Sequence, residues 1–464
     1  MVNLSVYPAQ VKKDRYLKAF ELLEKEVGAK SPSWISQIRK RAVRDFSNLG
    51  FPTLREENWK YTNVNSIAQT SFAFPSDHAA PQLSAGQLEP FGFGGSRGQR
   101  FVFVNGFYAS ELSSEAPSRN GPRAESLESV LTRDPKLAEP YLARLAPYDR
   151  HIFTALNTAF MHQGAFIYLP EGKVLNEPIH LLFVSSPQEE AMIFQPRVLI
   201  VAGKNSRAAV IENYVSLGSS PYFTNTVTEI VLEEGAFLEH YKLQRESENA
   251  FHVGTTHVRQ SRASKFRSFS LALGAKLCRN NLNVNLDQEG AGCTLNGLYL
   301  VTGEQHVDHT TLIDHSKPNG TSNQIYKGIL SGKATGVFSG KVLVHKDAQK
   351  TDAHQINKNL LLSDQSTMNT KPQLEILADD VQCTHGAAVG QLDEKAIFYF
   401  ETRGISREKA RKLLSYGFAN EVIQAISYEP IRTELNRLVF KRLEDFSCLP
   451  EALKHRSLEK DVPR

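Results

Sequence analysis

Cysteine is scarce in this chain: Cys278, Cys293, Cys383 and Cys448 are the only four among 464 residues. They are widely separated, with no Cys-x-x-Cys pair and no zinc-finger spacing. A few scattered cysteines in a long chain exclude a disulfide framework and indicate a reducing compartment. We therefore predict a cytoplasmic protein.

Long apolar runs and an excess of one charge are also missing. No window approaches the ~20 apolar residues of a membrane helix, and the opening MVNLSVYPAQVKKDRYLKAF contains no apolar core of a secretory signal. The 54 Lys and Arg residues nearly balance 50 Asp and Glu residues, whereas nucleic-acid binding needs clustered basic residues. The sequence predicts a protein that binds neither membrane nor nucleic acid.

Motifs for nucleotide binding and catalysis are absent as well. A Walker A loop needs four residues between its glycines and a Ser or Thr after its lysine. The segments that end at Lys333 and Lys341 have three residues between their glycines, and Ala334 and Val342 follow the lysines. No H-E-x-x-H occurs either. We therefore predict that the chain is not an enzyme and binds no nucleotide itself.

The hydrophobic pattern of residues 1–150 predicts helices separated by loop-rich segments. A second helix is expected to begin at Ser31-Pro32-Ser33, because serine and proline are favoured at helix starts. Two segments rich in Pro, Gly and Ser flank FVFVNGFYAS, which is typical of a hairpin or an edge strand. The apolar positions of the first helix are Leu17, Phe20, Leu23 and Val27.

Residues 151–392 have a different pattern, with short β-rich runs such as AFIYLP, RVLIVAG and CTLNGLYLV. No helical period separates these runs, which excludes a sheet built from β-α-β units. A sandwich, a barrel and a β-solenoid all remain compatible. One local repeat favours the solenoid, since GILSGK at residues 328–333 recurs as GVFSGK at residues 336–341. A hairpin could also produce two such copies.

The chain becomes helical again over residues 393–464. Ser406 is predicted to cap one helix, and Pro430 to open the next. The second helix has one apolar stripe, which indicates either packing on the end of the β region or docking of a partner. The stripe consists of Ile431, Leu435, Leu438, Val439 and Phe446.

Cys383 and His385 are the candidate metal ligands. In an extended strand, residues two apart share a face, so the thiol and the imidazole point the same way. A thiolate and an imidazole together suit iron or zinc. Two ligands do not make a stable site, however, and a packed thiol beside a hydrogen-bonded imidazole is the commoner arrangement.

A second cluster of histidines and acids lies in QHVDHTTLIDHSKPN. On a strand, His306 and Asp308 share one face, whereas His309 and His315 share the other. This division disfavours a single metal centre. We predict a structural role instead, as stacked polar residues at solenoid corners.

Residues 295–423 resemble the SufB/SufD family of iron–sulfur cluster assembly proteins. The resemblance is carried by DHTTLIDHSKPNGTSNQIYKGILSGKATGVFSGKVLV, AQKTDAHQINKNLLLSD and TKPQLEILADDVQCTHGAAVGQLDEKAIFYFETRGIS. ENWKYTNV and residues 156–181 also fit the family. Gly386 after the motif histidine and Phe400 after the FY pair make the chain more similar to the SufD branch than to the SufB branch.

The resemblance implies a mainly β fold: a right-handed parallel β-helix between N-terminal and C-terminal helical regions. It also implies a scaffold subunit that pairs with SufB and docks the ATPase SufC through the C-terminal helices. A transient iron–sulfur cluster would then be built at the SufB–SufD junction, with Cys383 and His385 as ligands from this chain.

Two other functions stay open at this point. A self-sufficient homodimeric scaffold would take up iron and sulfide without another protein. A β-helix enzyme that cleaves polysaccharides would be expected to have a secretion signal and an acidic cleft, and the sequence predicts neither.

Overall fold

The computed structural model describes residues 7–28, 30–75, 83–94, 96–114 and 122–446, with side chains from residue 13 onward except at position 445. Cys448 lies outside this part of the chain. The helices are α1 Tyr7–Val27, α2 Ser33–Asn48, α3 Asn65–Gln69, α4 Ala85–Leu88, α5 Leu127–Arg133, α6 Pro135–Ala138, α7 Ile152–Ala159, α8 Glu394–Thr402, α9 Arg407–Ile423 and α10 Glu429–Asp445. Among the described helices, none is long and apolar enough to cross a membrane.

Most of the remaining chain forms β-strands. The first ten are β1 Arg100–Val104, β2 Phe107–Tyr108, β3 Arg123–Ser126, β4 Gly164–Leu169, β5 Ile179–Ser185, β6 Met192–Phe194, β7 Arg197–Ala202, β8 Arg207–Ser216, β9 Tyr222–Leu232 and β10 Phe237–Arg245. The others are β11 Phe251–Gln260, β12 Lys265–Ala272, β13 Leu277–Leu286, β14 Gly292–Val301, β15 His306–His315, β16 Thr321–Leu330, β17 Thr335–Val344, β18 Thr351–Leu361, β19 Thr367–Ile376 and β20 Val381–Gly390.

The strands form two long sheets that share one interior. Sheet I has the order β2-β1-β5-β8-β10-β12-β14-β16-β18-β20, and sheet II has the order β19-β17-β15-β13-β11-β9-β7-β4-β3. From β7 onward, consecutive strands alternate between the sheets and pair in parallel with the strand one turn away. The chain is therefore a parallel β-solenoid of about 8 turns. The mainly β fold predicted from the resemblance is confirmed, and the sandwich and barrel are excluded.

The strand register gives the repeat of the solenoid, whose turns take between 26 and 32 residues from β7 onward. Leu277, His306 and Thr335 occupy the same position in three successive turns of sheet II, 29 residues apart. The repeat seen in the sequence is different, because Gly328 lies on β16 and Gly336 on β17, on either side of a corner. The solenoid prediction was right, but this repeat was not its period.

Glycine allows neighbouring turns to approach closely at that corner. Gly332 has φ +63° and stacks on Gly303, which has φ +62°. A Cβ atom on Gly332 would come within 2.8 Å of the Gly303 backbone nitrogen. Only glycine adopts this conformation readily and leaves the required space.

Helices cover the outer face of each sheet. At the N-terminus, α1, α2 and α7 pack on sheet II through an aromatic cluster that includes Phe46, Phe153 and Phe223. α2 begins at Ser33 as predicted, although Ser31 does not cap it; its hydroxyl donates to Val27 O at 2.8 Å. The predicted hairpin in FVFVNGFYAS is confirmed as the antiparallel pair β1–β2.

The C-terminal helices cover sheet I. The apolar stripe of α10 is buried in one cluster with Leu298, Leu300 and Ile329 of the solenoid. Ser406 caps α9 by accepting from the Lys409 amide, and Pro430 lies in the first turn of α10, as predicted. The stripe therefore packs on the β region and is not available to a partner. Of the two interpretations of its pattern, packing is the correct one.

Candidate metal centre at the solenoid edge

The solenoid ends in two strands with open edges. Within the described residues, β20 pairs only with β18, and β19 pairs only with β17. No helix of the described chain covers the outer edge of this last turn. Several apolar side chains near it are exposed: Ile376, Leu377 and Val389.

The candidate ligands lie on the last strand of sheet I. Val381 and Cys383 pack against the edge of the interior core, so their face of β20 points into the open end of the solenoid. His385 follows on the same face and is exposed. The shared face predicted from the sequence is therefore confirmed, at a position that nothing else in the described chain covers.

The thiol of Cys383 is electrostatically disfavoured as a thiolate. Burial and the nearby Asp352 carboxylate raise the pKa of Cys383 above its usual value, although a backbone hydrogen bond involving Ala353 partly opposes this. The thiol is therefore protonated at neutral pH. A bound metal ion would have to displace that proton to obtain a thiolate ligand.

A column of amide side chains leads to His385 along the inner face of sheet I. Gln324 Nε2 donates to Thr311 Oγ1 at 2.7 Å, and Gln355 Nε2 donates to Gln324 Oε1 at 2.7 Å. Gln355 lies directly opposite His385 in the register, and its buried Oε1 has no hydrogen-bond partner in the described chain. No local pattern in the sequence indicates this column, because only the turn length brings its members together.

The outer face of the same strands has a separate imidazole. His354 Nδ1 lies 2.6 Å from Thr384 Oγ1, and His354 Nε2 lies 2.9 Å from Asp352 Oδ1. His354 and Thr384 are register partners, one position away from Cys383. The alternation of side chains therefore separates His354 from the two candidate ligands. Within the described residues, no group of three or more His, Cys, Asp or Glu side chains could hold a metal ion.

The second histidine cluster is divided as predicted. On the outer face of β15, His306 Nε2 lies 3.0 Å from Thr62 Oγ1, and Asp308 accepts from Arg279 at 2.5 Å. On the inner face, the His309 ring lies between two tyrosines, and His315 Nε2 lies 2.9 Å from Ser322 Oγ. These contacts give the residues a structural role along a strand, and the prediction that they lie at corners was wrong.

Because the inner histidines of β15 are buried, we expect the protein to lose stability in mild acid. Burial lowers the pKa of both His309 and His315 from 6.5 to about 4. Below pH 6.5 the two histidines take up protons in the unfolded chain but stay neutral in the folded chain. The free energy of unfolding is therefore undiminished by these two groups above pH 6.5, and it decreases as the pH falls towards 4. We expect the free energy of unfolding to fall by about 3 kcal/mol between pH 7.5 and 5.5. Chemical unfolding followed by circular dichroism measures this, and unchanged stability over that interval would contradict it.

Comparison with known proteins identifies the family. The family model described as the SUF system FeS cluster assembly SufBD core domain matches residues 183–418. The model of the SufBD protein N-terminal region matches residues 10–181. The chain belongs to the SufBD family. The N-terminal helical region, which contributed little to the resemblance seen in the sequence, is thus part of the family pattern too.

Individual relatives support this assignment along most of the chain. An iron–sulfur cluster assembly SufBD family protein of Synechocystis is 33% identical over 86% of this chain and 89% of its own length. The iron–sulfur cluster assembly protein SufD of Escherichia coli is 29% identical over 91% and 95%. The chloroplastic protein ABCI7 of Arabidopsis thaliana is 37% identical over 90% and 88%.

Proposed function

We propose that the chain is the SufD-type scaffold subunit of a cytoplasmic SUF complex, pairing with SufB and docking the SufC ATPase. The nascent iron–sulfur cluster is its cargo, held transiently at the SufB–SufD junction with Cys383 and His385 among the ligands. The chain itself has no catalytic role, and SufC supplies the ATP hydrolysis. The observation that supports this most directly is the position of the two candidate ligands on an open sheet edge.

The open edge favours pairing with another solenoid. A long edge strand offers a row of backbone N–H and C=O groups to a second chain. β20 has ten residues, and Val389 near its end is exposed. A partner strand added here would also cover the face from which Cys383 and His385 project.

The incomplete ligand set also favours a shared site. Metal sites in proteins commonly take four protein ligands or leave one position open, and this edge offers two. The partner chain would supply the others. Gln355 lies opposite His385 in the register and its Oε1 has no hydrogen-bond partner in the described chain, so this oxygen is available to accept from the second ring nitrogen of a metal-bound His385.

The C-terminal helices offer a docking surface other than the buried stripe of α10. On α8, Phe398 is 66% exposed and Tyr399 is 57% exposed, whereas Ile397 is buried. Exposed aromatic residues of this kind are typical anchors of protein interfaces. α8 begins at Glu394, four residues after β20 ends. A movement of the docked ATPase would therefore act on the chain next to the proposed cluster strand.

The proposed function predicts that cluster assembly depends on the partner. In anaerobic reconstitution with iron and sulfide, we expect visible absorption and acid-labile sulfide on the co-purified complex of the three proteins. The isolated chain should give neither, because it offers only two ligands. A stable cluster on the isolated chain would instead support the homodimeric scaffold, and its oligomeric state by light scattering would distinguish a dimer from a monomer.

A further inference from the structure

A surface cleft lies between α2 and the loop of residues 143–149, far along the chain from the proposed cluster site. Its volume is about 440 Å³, which is within the usual range for small-molecule sites. Arg41 and Arg44 line it from α2, and Arg144 and Tyr148 line it from the loop. The cleft therefore combines three guanidinium groups with one aromatic ring.

Three guanidinium groups and two carboxylates line this cleft, so its lining carries a net charge of +1. In the described part of the chain, no hydrogen bond or ion pair engages the guanidinium groups of Arg41, Arg44 and Arg144. Asp45 and Asp149 also line the cleft, and the Asp149 carboxylate lies 3.6 Å from Arg150. Arg41 and Arg44 lie three residues apart on one helix and repel each other, and Asp45, four residues after Arg41, offsets part of that repulsion. An anion bound between the two arginines would relieve the rest.

A buried carboxylate holds the loop in place. Glu229 of β9 accepts from the backbone amides of Ala143 and Leu145 at 2.7 Å each, and from a third amide of the loop at 3.1 Å. Its other partner is Arg197, at 2.5 Å, and both side chains are 0% exposed. Ala143 adopts φ +57°, a left-handed conformation that is unfavourable for alanine. The contacts with Glu229 thus offset the cost of this conformation and hold the loop.

We infer that this cleft binds a small phosphate-bearing ligand. Guanidinium groups match the oxygens of a phosphate with paired hydrogen bonds, and several of them suit a group with two or more negative charges. A cleft fixed before binding loses little freedom when a ligand enters. The loop of Arg144 is held by Glu229 and the Arg41–Arg44 pair by a regular helix, so both walls meet that condition.

The test is calorimetric titration of the full chain with inorganic pyrophosphate at 0.15 M salt. We expect saturable binding of one pyrophosphate per chain. Arg44→Gln and Arg144→Gln should each raise the Kd about tenfold, because hydrogen bonds to charged groups contribute strongly to binding. The control is Arg262→Gln with Arg267→Gln, which removes two guanidinium groups with side chains 64% and 56% exposed on the solenoid. It should leave the Kd unchanged, and melting curves check that every variant is folded.

Three results would overturn the inference. The first is the absence of saturable binding to the wild-type chain. The second is an equal loss of affinity in the control variant, which would show attraction to overall charge only. The third is binding of a short glutamate peptide in preference to pyrophosphate, which would assign the cleft to an acidic protein segment. None of these results bears on the cluster scaffold, because the two sites share no residue.

Discussion

Cluster formation should be lost when His385 is replaced by alanine in the purified complex. The side chain is exposed on β20, so its removal is expected to change the free energy of unfolding by about 0.5 kcal/mol or less. A neutral imidazole binds iron directly, so the same change removes one of the two ligands that this chain offers. Anaerobic reconstitution, followed by visible absorption and acid-labile sulfide, should show no cluster beside an unchanged melting curve.

The neighbouring strand supplies a matched control. His354→Ala removes an imidazole that is 47% exposed and lies on the opposite face of the sheet, and the cluster should form normally in that variant. Cys383→Ser should also prevent cluster formation, with an effect no larger than that of His385→Ala. If His385→Ala assembles, melts normally and still builds its cluster, then Cys383 and His385 are an ordinary packed pair.

Two substitutions in the C-terminal helices should separate the stability of the chain from its assembly with the ATPase. Leu435 is 0% exposed in the contact of α10 with sheet I, so Leu435→Asp buries an unpaired charge and should cost at least about 4 kcal/mol. Phe398→Asp lies on the exposed face of α8 and should leave unfolding nearly unchanged. We nevertheless expect Phe398→Asp to abolish co-purification of the ATPase, because it places a charge in the proposed docking surface.

The control for Phe398→Asp is an equally exposed apolar residue elsewhere. Leu22 on α1 is such a residue, and Leu22→Asp should leave the ATPase bound. Chemical unfolding measures the stability of all three variants, and affinity purification with quantitative gels measures assembly. Retention of the ATPase by a folded Phe398→Asp variant would show that docking uses another surface.

Local chemistry made some of this structure predictable from the sequence. Ser406 and Pro430 mark the starts of two helices because their side chains suit those positions irrespective of tertiary contacts. Likewise, the shared face of Cys383 and His385 follows from the geometry of any strand. The apolar stripe of α10 could also be recognised in the sequence. Its pattern indicates only that one face of the helix is buried, and not which surface covers that face.

Other features depend on contacts between distant residues. Gln355 lies opposite His385 only because the turn length places them in register, and no local pattern contains that length. Arg44 and Arg144 are 100 residues apart in sequence, and they line one cleft because the fold packs α2 beside a loop that is bound to Glu229. Single windows of sequence could therefore not reveal either arrangement.

The ladder of parallel strands also sets the distance between the arginine-lined loop and the open end of the solenoid. β9, which holds the arginine-lined loop through Glu229, is five ladder steps from β19 at the open end. At the usual spacing of neighbouring strands, that is about 24 Å. Inserting or deleting one complete turn would change this separation by about 4.8 Å and leave both ends in the same orientation. Turns of 26 to 32 residues already keep their strands facing the same way, because the corners between strands absorb the difference. A partner that spans both ends would therefore tolerate length changes in the corners, but not the gain or loss of a turn.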